Sequence, residues 1–134
     1  MKRATFYDLT DGKITGTLIC SEPYFEANVE GKTWIEGTYD LEEYYVVRGI
    51  ATLRPSFSLA LSKNTIIANG TDNANLTGVP SGAVVTMERS GGGSISVTAD
   101  GTTVEITATM PGNYLVTVSK WPYRDEVFTV AATV

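Results

Sequence analysis

The sequence predicts an all-β protein whose second half is a β-sandwich, preceded by a smaller β segment. Short runs rich in Val, Ile, Thr and Tyr recur at intervals of about 8 to 12 residues, separated by turn dipeptides, which is typical of sandwiches and barrels. No stretch of about ten or more residues repeats apolar side chains with the helical period, and good helix formers are sparse. Hydrophobic residues make up 43% of the 134 residues and charged residues 19%, which indicates a globular chain.

Residues 1–54 are predicted to form a small β-hairpin and β-sheet segment of short strands. The predicted strands are Ala4–Leu9, Lys13–Ser21, Phe25–Val29, Thr33–Tyr39 and Tyr44–Ile50. Asp11-Gly12 joins the first two as a hairpin turn, because this dipeptide tolerates positive φ. A single helical turn over residues 41–47 is the alternative to the last strand, but the Tyr-Tyr-Val-Val content favours a strand. A segment this small buries too little apolar surface to be secure alone, so we expect it to pack against the sandwich, another copy or another protein.

Residues 55–134 are predicted to form a second domain of seven strands. The composition changes at Arg54-Pro55-Ser56, after which Gly, Ser, Thr, Ala and Val dominate. The predicted strands are Ser58–Ser62, Thr65–Leu76, Ala83–Glu88, Ser94–Ala99, Thr103–Thr109, Gly112–Ser119 and Val127–Val134. In the strand over residues 112–119, alternation places Tyr114, Val116 and Val118 on one face. Short alternating strands in this number, with turn residues between them, predict an immunoglobulin-like β-sandwich without its disulfide.

The composition removes most routes to catalysis and to metal binding. The chain has no His, and therefore lacks the commonest general base and the commonest zinc ligand. With a single cysteine, Cys20, neither a thiolate metal site nor an internal disulfide can form, and we expect this thiol to be buried. Acidic turns such as Asp100-Gly101 lack the spacing that gathers calcium ligands. We therefore expect no catalytic residue, no metal and no cofactor.

Paired carboxylates are the one remaining route to an enzyme. Glu36 and Asp40 lie near Trp34 and Tyr39, and an acidic groove lined by aromatic rings suits a glycosidase. The simpler interpretation is that these carboxylates are solvated residues beside packed aromatics. A segment of short strands is also a poor scaffold for the carboxylate spacing of about 5–9 Å that hydrolysis requires.

The net charge and the hydropathy pattern predict the environment of the protein. A net charge of −5, with the basic residues scattered, argues against nucleic acid, which requires a concentrated basic face. No apolar run is long enough to span a bilayer, and Met1-Lys2-Arg3 opens the chain without an apolar signal sequence. The expectation is a protein that stays in the cytoplasm where it is made, and an unpaired cysteine suits a reducing compartment.

Aromatic side chains are the best candidates for contact residues. Of the 13 aromatic residues, eight precede Pro55, in well under half of the chain. Tyr and Trp are enriched at interfaces because they combine rigid apolar area with a polar group. It is an equally good explanation that the aromatic residues before Pro55 fill a small core. The candidates are Trp34, Tyr39, Tyr44 and Tyr45 in the first segment, and Trp121 and Tyr123 in a Pro-interrupted loop before the last strand.

The second half resembles the bacterial and phage immunoglobulin-like domains. In Thr65–Asp72 an I-x-A-x-G step opens the sandwich, and Pro111–Val118 matches the late-strand pattern P-G-x-Y-x-V-x-V. The closing stretch Trp121–Glu126 resembles variants in tailed-phage virion proteins. The first half, with Asp11–Gly16 and Trp34–Asp40, is similar to small phage tail and virion proteins. These motifs mark turns and strands, so no functional residue can be transferred on their basis.

The resemblance implies a non-enzymatic structural protein of a phage particle, in the tail or as a decoration of the head. Its expected location is the virion, assembled in the host cytoplasm. Its expected partners are other virion proteins or copies of itself, so a homo-oligomer is expected. The main alternative is a carbohydrate- or host-surface-binding module of the adhesin type. In that module a glycan ring would stack on Trp34, Tyr39, Tyr44, Tyr45 or Trp121. An enzyme that uses carboxylates is a third hypothesis.

Overall fold

The computed structural model of the protein describes residues 1–134 and confirms the predicted all-β class, with thirteen β-strands and one α-helix. The chain divides into two compact units, Met1–Pro55 and Ser56–Val134. Each unit has its own sheets and its own apolar core. The division predicted from composition falls between residues 54 and 55.

The first unit contains five strands and the helix. In chain order these are β1 Lys2–Tyr7, β2 Ile14–Cys20, α1 Glu22–Val29, β3 Trp34–Glu36, β4 Tyr44–Val47 and β5 Ile50–Leu53. Strand β1 is central in an antiparallel sheet of order β2-β1-β3. Strands β4 and β5 form a separate two-stranded hairpin. The predicted strand over Tyr44–Ile50 is therefore confirmed in its first part, and it ends at a turn that opens β5.

Helix α1 corrects the prediction of a strand over Phe25–Val29. Pro23 lies in its first turn, where a missing N–H costs nothing, and Glu22 is an acidic group at the positive end of the helix. Phe25 and Val29 are four residues apart and are the two buried residues of the helix, so one face packs inward. None of the helical structure in the chain reaches the length and apolarity that a membrane crossing requires.

The turn between β1 and β2 is closed by Gly12, as the Asp11-Gly12 signal predicts. Gly12 has φ +76, and its N–H donates to the carbonyl of Asp8 at 2.8 Å. The β4–β5 hairpin lies against this turn, because the Val46 N–H donates to the Gly12 carbonyl at 2.9 Å. A Cβ at Gly12 would lie 2.1 Å from the Val46 carbonyl oxygen. Only glycine therefore permits this approach of two backbones.

The core of the first unit is small. Ala4, Phe25 and Val29 form its buried cluster. Partly buried apolar side chains pack against that cluster, namely Phe6, Leu18, Cys20 and Trp34. Cys20 is a free thiol that is half-buried rather than fully buried, since it lies at the end of β2. The limited buried area agrees with the expectation that a segment of this size has little apolar surface to bury.

The second unit is a β-sandwich of two sheets. Its strands are β6 Ala60–Leu61, β7 Thr65–Ile67, β8 Ala74–Thr77, β9 Val84–Arg89, β10 Ser94–Thr98, β11 Val104–Ile106, β12 Gly112–Ser119 and β13 Glu126–Thr133. One sheet has five strands in the order β10-β9-β12-β13-β7, and the other has three in the order β11-β8-β6. All pairings are antiparallel except β7 with β13. That the sandwich belongs to the immunoglobulin-like class stays a prediction.

The predicted strand over Thr65–Leu76 is wrong as a single element, because a turn divides it into β7 and β8. Asn69 Oδ1 accepts the backbone N–H groups of Thr71 and Asp72 at 2.9 and 2.8 Å. Gly70 adopts φ +78, and the Asp72 carboxylate accepts the Ile67 N–H at 2.8 Å. These bonds replace strand pairing, and they let the chain pass from one sheet to the other.

The alternation predicted for residues 112–119 is confirmed. Val116 and Val118 are fully buried, and Tyr114 is 8% exposed. The Tyr114 hydroxyl donates to the Met110 carbonyl at 2.7 Å, so the one polar atom of this buried ring is satisfied. Across the sandwich these side chains meet Leu76 and Ile106 in the same buried cluster.

Candidate functional site

Trp34 packs against the buried cluster of the first unit. Its indole packs edge-on against the Phe25 ring, with centroids 5.2 Å apart and planes at 81°. Strand β3 pairs with β1 and holds Trp34 opposite Phe6. The side chain is half-buried. Its contacts are thus those of a residue that covers a small core.

Tyr39 and Tyr44 form a ring pair, with centroids 5.2 Å apart and planes at 62°. Thr5, which is fully buried, holds the backbone of residues 37–39, which leads to this pair. Its hydroxyl donates to the Gly37 carbonyl at 2.8 Å and accepts the Tyr39 N–H at 3.1 Å. Tyr45 follows Tyr44 in β4, so its side chain points to the opposite face of the hairpin. The structure therefore brings Tyr39 and Tyr44 together without Tyr45.

Trp121 and Tyr123 lie in the loop between β12 and β13 of the second unit, and both are half-buried. The Trp121–Pro122 peptide bond is cis. Tyr123 stacks on Phe57 with centroids 4.6 Å apart and planes 8° from parallel. The six predicted contact residues are thus divided, four in the first unit and two in the second.

The carboxylates form no cluster of the kind that holds a metal ion. Nowhere do three or more Cys, Asp or Glu side chains come close enough to hold a metal ion. The pKa of Asp72 is lowered by the hydrogen bond from Lys63 and that from the Ile67 N–H. The pKa values of Asp8 and Asp100 are lowered by bonds from Thr10 and Thr102. A lowered pKa makes a carboxylate a weaker base, which suits it poorly to accept a proton in catalysis. These three carboxylates instead accept backbone hydrogen bonds within the turns where they lie.

An exposed apolar surface of the second unit lies at β10, the edge strand of the five-stranded sheet. Register pairs Ile95 with Met87 and Val97 with Val85, so Ile95 and Val97 share the inward face of the sheet with buried residues. Ile95 is nevertheless 67% exposed and Val97 54% exposed. The reason is the unequal width of the sheets: the facing sheet has only three strands and leaves β10 uncovered.

Two clefts follow this uncovered strip. The larger, about 370 Å³, is lined by residues including Met87, Ile95, Met110 and Tyr114. The smaller, about 100 Å³, lies between Val97 and Val104, where the edges of the two sheets face each other. The smaller cleft is lined mainly by apolar side chains, and the larger one also by Arg89, Ser94 and Thr109. We call this strip, with Met87, Ile95, Val97 and Met110, the β10 edge surface.

The backbone of β10 adds unpaired polar groups to this surface. Gly93 accepts the Arg89 N–H at 3.0 Å, and Ala99 donates to the Ala83 carbonyl at 2.8 Å, so these residues point their backbone groups towards β9. Because the direction alternates along a strand, the N–H and C=O groups of Ser94, Ser96 and Thr98 point away from the sheet. An edge of this kind is a template for another strand.

The sequence predicts β10 as a strand, over Ser94–Ala99, but does not predict the exposed surface there. The available signal was the run from Ser90 to Ala99, which contains no charged residue. Edge strands usually carry Lys, Pro or another device that prevents pairing. A position at the edge of a wide sheet, however, depends on pairings that the local sequence does not specify.

Comparison with known proteins gives one distant structural likeness. No protein-family model matches the sequence, and no curated protein matches it. A solved structure of a glycosyl hydrolase family 2 member from Bacteroides cellulosilyticus is similar at 12% identity and a TM-score of 0.40. The likeness covers 98% of this chain and 22% of that one. The chain therefore spans less than a quarter of the protein that it resembles.

Proposed function

We propose that the protein is a non-enzymatic structural module that assembles through protein–protein contacts at the β10 edge surface. The observation that carries this proposal is an uncharged edge strand with two exposed apolar side chains, Ile95 at 67% and Val97 at 54%. The motif resemblance gives the setting, a tailed-phage virion in which the chain is a component of the tail or a decoration of the head.

Two physical arguments support contact with protein. Exposed apolar side chains gain free energy when they leave water, at about 25 cal/mol per Å² of buried area. Unpaired backbone groups at a sheet edge gain directional hydrogen bonds when an extended chain adds a strand. The β10 edge surface offers both along the same five residues, Ser94–Thr98.

In this proposal the contact surface lies in the second unit, and the aromatic residues of the first unit have a mainly structural role. Trp34 contacts Phe25, and Tyr39 contacts Tyr44. These internal contacts support the core-filling explanation of the aromatic cluster. The absence of His in the sequence supports the non-enzymatic part of the proposal.

The test is incorporation into particles. Phage particles from the source would be purified and analysed by mass spectrometry for this chain, and particles assembled with an Ile95→Lys variant would be compared. We expect the wild-type chain in the particles and a loss of at least about tenfold for the variant, because a charge on the apolar strip opposes its burial. Thr129→Lys is the matched control, since Thr129 is exposed on the outward face of β13.

Two results would count against the proposal. One is that the wild-type chain is missing from purified particles. The other is that Ile95→Lys and Thr129→Lys are incorporated as well as the wild type, which would place the contact on another surface.

A further inference from the structure

We infer that the β10 edge surface pairs with the same surface of a second copy of this chain, antiparallel, about a twofold axis at Ser96. This inference rests on the proposed function and names the partner at that site. It joins two five-stranded sheets into one sheet of about ten strands, with the two β10 strands at its centre.

The direction of the backbone groups selects the register. The outward N–H and C=O groups belong to Ser94, Ser96 and Thr98, as the bonds of Gly93 and Ala99 to β9 require. In an antiparallel pair centred on Ser96, each Ser96 exchanges both bonds with its symmetry mate. Ser94 of each copy does the same with Thr98 of the other. Such a pairing forms about six backbone hydrogen bonds, because hydrogen-bonded pairs alternate along the ladder.

The side chains are complementary in this register. Ile95 faces Val97 of the other copy in the closely spaced, non-hydrogen-bonded pairs, so the apolar contacts fall at the shortest cross-strand distances. The hydroxyl side chains of Ser94, Ser96 and Thr98 occupy the opposite face, where Thr86 already bonds Ser96 at 3.0 Å. The strand Ser-Ile-Ser-Val-Thr thus has nearly the same pattern in both directions, which a self-pairing strand requires.

The β10 strand is a place where charge does not oppose a second copy. The whole chain carries −5, so two copies repel each other over most of their surfaces. The run from Ser90 to Ala99 is free of charge, and therefore contact there brings no like charges into direct opposition. It also lacks the Lys or Pro with which edge strands usually prevent such pairing.

The size of the surface sets the expected strength. A five-residue edge buries well under the total of about 1,600 Å² that is typical of stable complexes. We therefore expect a reversible dimer whose fraction rises with protein concentration, and a higher effective concentration in an assembled particle would favour it further.

The register is tested by disulfide trapping in a Cys20→Ser background. Across the proposed axis the two Ser96 Cα atoms lie about 5.5 Å apart, within the range that a disulfide spans. The matched control is Ser94→Cys, whose two copies would be about 13 Å apart along the strands. Under mild oxidation at equal concentration, we expect Ser96→Cys to form covalent dimer at least about tenfold faster than Ser94→Cys, as the difference in reach requires. Equal rates for the two variants would overturn the register.

The partner is tested by sedimentation over a concentration series of the purified full chain. We expect a dimer for the wild type, its loss in Ser96→Lys, and its retention in Thr129→Lys. A wild-type chain that stays monomeric throughout, or a dimer that Ser96→Lys leaves intact, would overturn self-pairing. If the chain is monomeric but Ile95→Lys still abolishes incorporation into particles, the proposed function stands and the edge binds another virion protein.

Discussion

At the scale of single residues, Gly12 is the glycine of the first unit with the least room for a side chain. It combines φ +76 with a backbone approach that leaves no room for a Cβ, which would lie 2.1 Å from the Val46 carbonyl oxygen. We expect Gly12→Ala to destabilise the protein by about 3 kcal/mol. The new methyl group would push the β4–β5 hairpin away from the turn, and alanine would also pay for the left-handed backbone conformation. The measurement is the free energy of unfolding in a urea titration.

Gly31→Ala is the matched control for this prediction. Gly31 has a similar φ, +73, but a Cβ there meets no atom within 4 Å. Its expected cost is only about 1 kcal/mol, from the left-handed conformation alone. If the two variants lose equal stability, the close approach of Val46 to the turn contributes nothing.

We expect Asp72 to make the stability of the second unit dependent on pH. The Lys63 ammonium at 2.6 Å and the Ile67 N–H at 2.8 Å hold the pKa of this carboxyl below its ordinary value of 3.8. A folded pKa below the unfolded one gives stability that is present above pH 3.8 and is lost as the pH falls through the folded pKa.

We therefore expect Asp72→Asn to lower the urea midpoint at neutral pH, and the difference from the wild type to be smaller at a pH well below 3.8, because protonation of Asp72 in the wild type weakens the same bonds. The exposed Asp125 provides the control substitution, Asp125→Asn, which removes the same formal charge from a loop. A stability difference between Asp72→Asn and the wild type that is the same at both pH values would contradict the assignment.

At the scale of elements, the packing of α1 on the first sheet depends on Trp34. Its ring lies edge-on to Phe25, one of the two buried side chains of the helix. We expect Trp34→Ala to cost about 2 kcal/mol, below the usual 3–5 for a buried Trp because this ring is half-buried. Tyr24→Ala is the control, since Tyr24 lies on the same helix at 66% exposure. It should change stability by about 0.5 kcal/mol or less.

A second measurement on these two variants separates the core-filling role of Trp34 from a role in binding glycans. If Trp34→Ala keeps wild-type stability and instead removes a signal on a glycan array, the side chain belongs to a sugar-binding surface.

Helix α1 also shows why the predicted elements of the first unit differ from the observed ones. Phe25 and Val29 fit one helical face, but eight residues are too few for the apolar period to repeat. Isolated helices of this length are unstable, so the helix depends on tertiary packing of its two apolar side chains. The sequence of residues 25–29 on its own carries no such information.

The sequence predicts the sandwich, but it does not predict the β10 edge surface. Alternation in residues 112–119 follows from side chains that must point to one buried face, and the structure confirms it at Tyr114, Val116 and Val118. The same alternation in β10 places Ile95 and Val97 on an inward face, which stays largely exposed. Coverage depends on how many strands the opposite sheet has, which is a property of the whole fold. Periodicity could therefore predict β10 as a strand without predicting its exposure.

At the scale of the whole molecule, the two units have unequal cores. The buried cluster of the second unit has fifteen residues, among them Val116, Val118 and Val130 at 0% exposure. That of the first unit has three, and its β4–β5 hairpin pairs with no further strand. Local stability follows buried apolar contact, so the first unit should open with a lower free energy than the second.

Hydrogen exchange on the full chain measures this difference directly. Strand β12 is paired on both sides, by β9 and β13, and its inward side chains are buried. We expect its amides to exchange at least about 100-fold more slowly than those of β1, the central strand of the first unit, because exchange from a central strand requires opening of its unit. The amides of β4 and β5 should exchange fastest among the paired strands. Urea below the global midpoint should speed exchange in residues 1–55 first, whereas equal protection of β1 and β12 at every urea concentration would mean that the two units unfold as one.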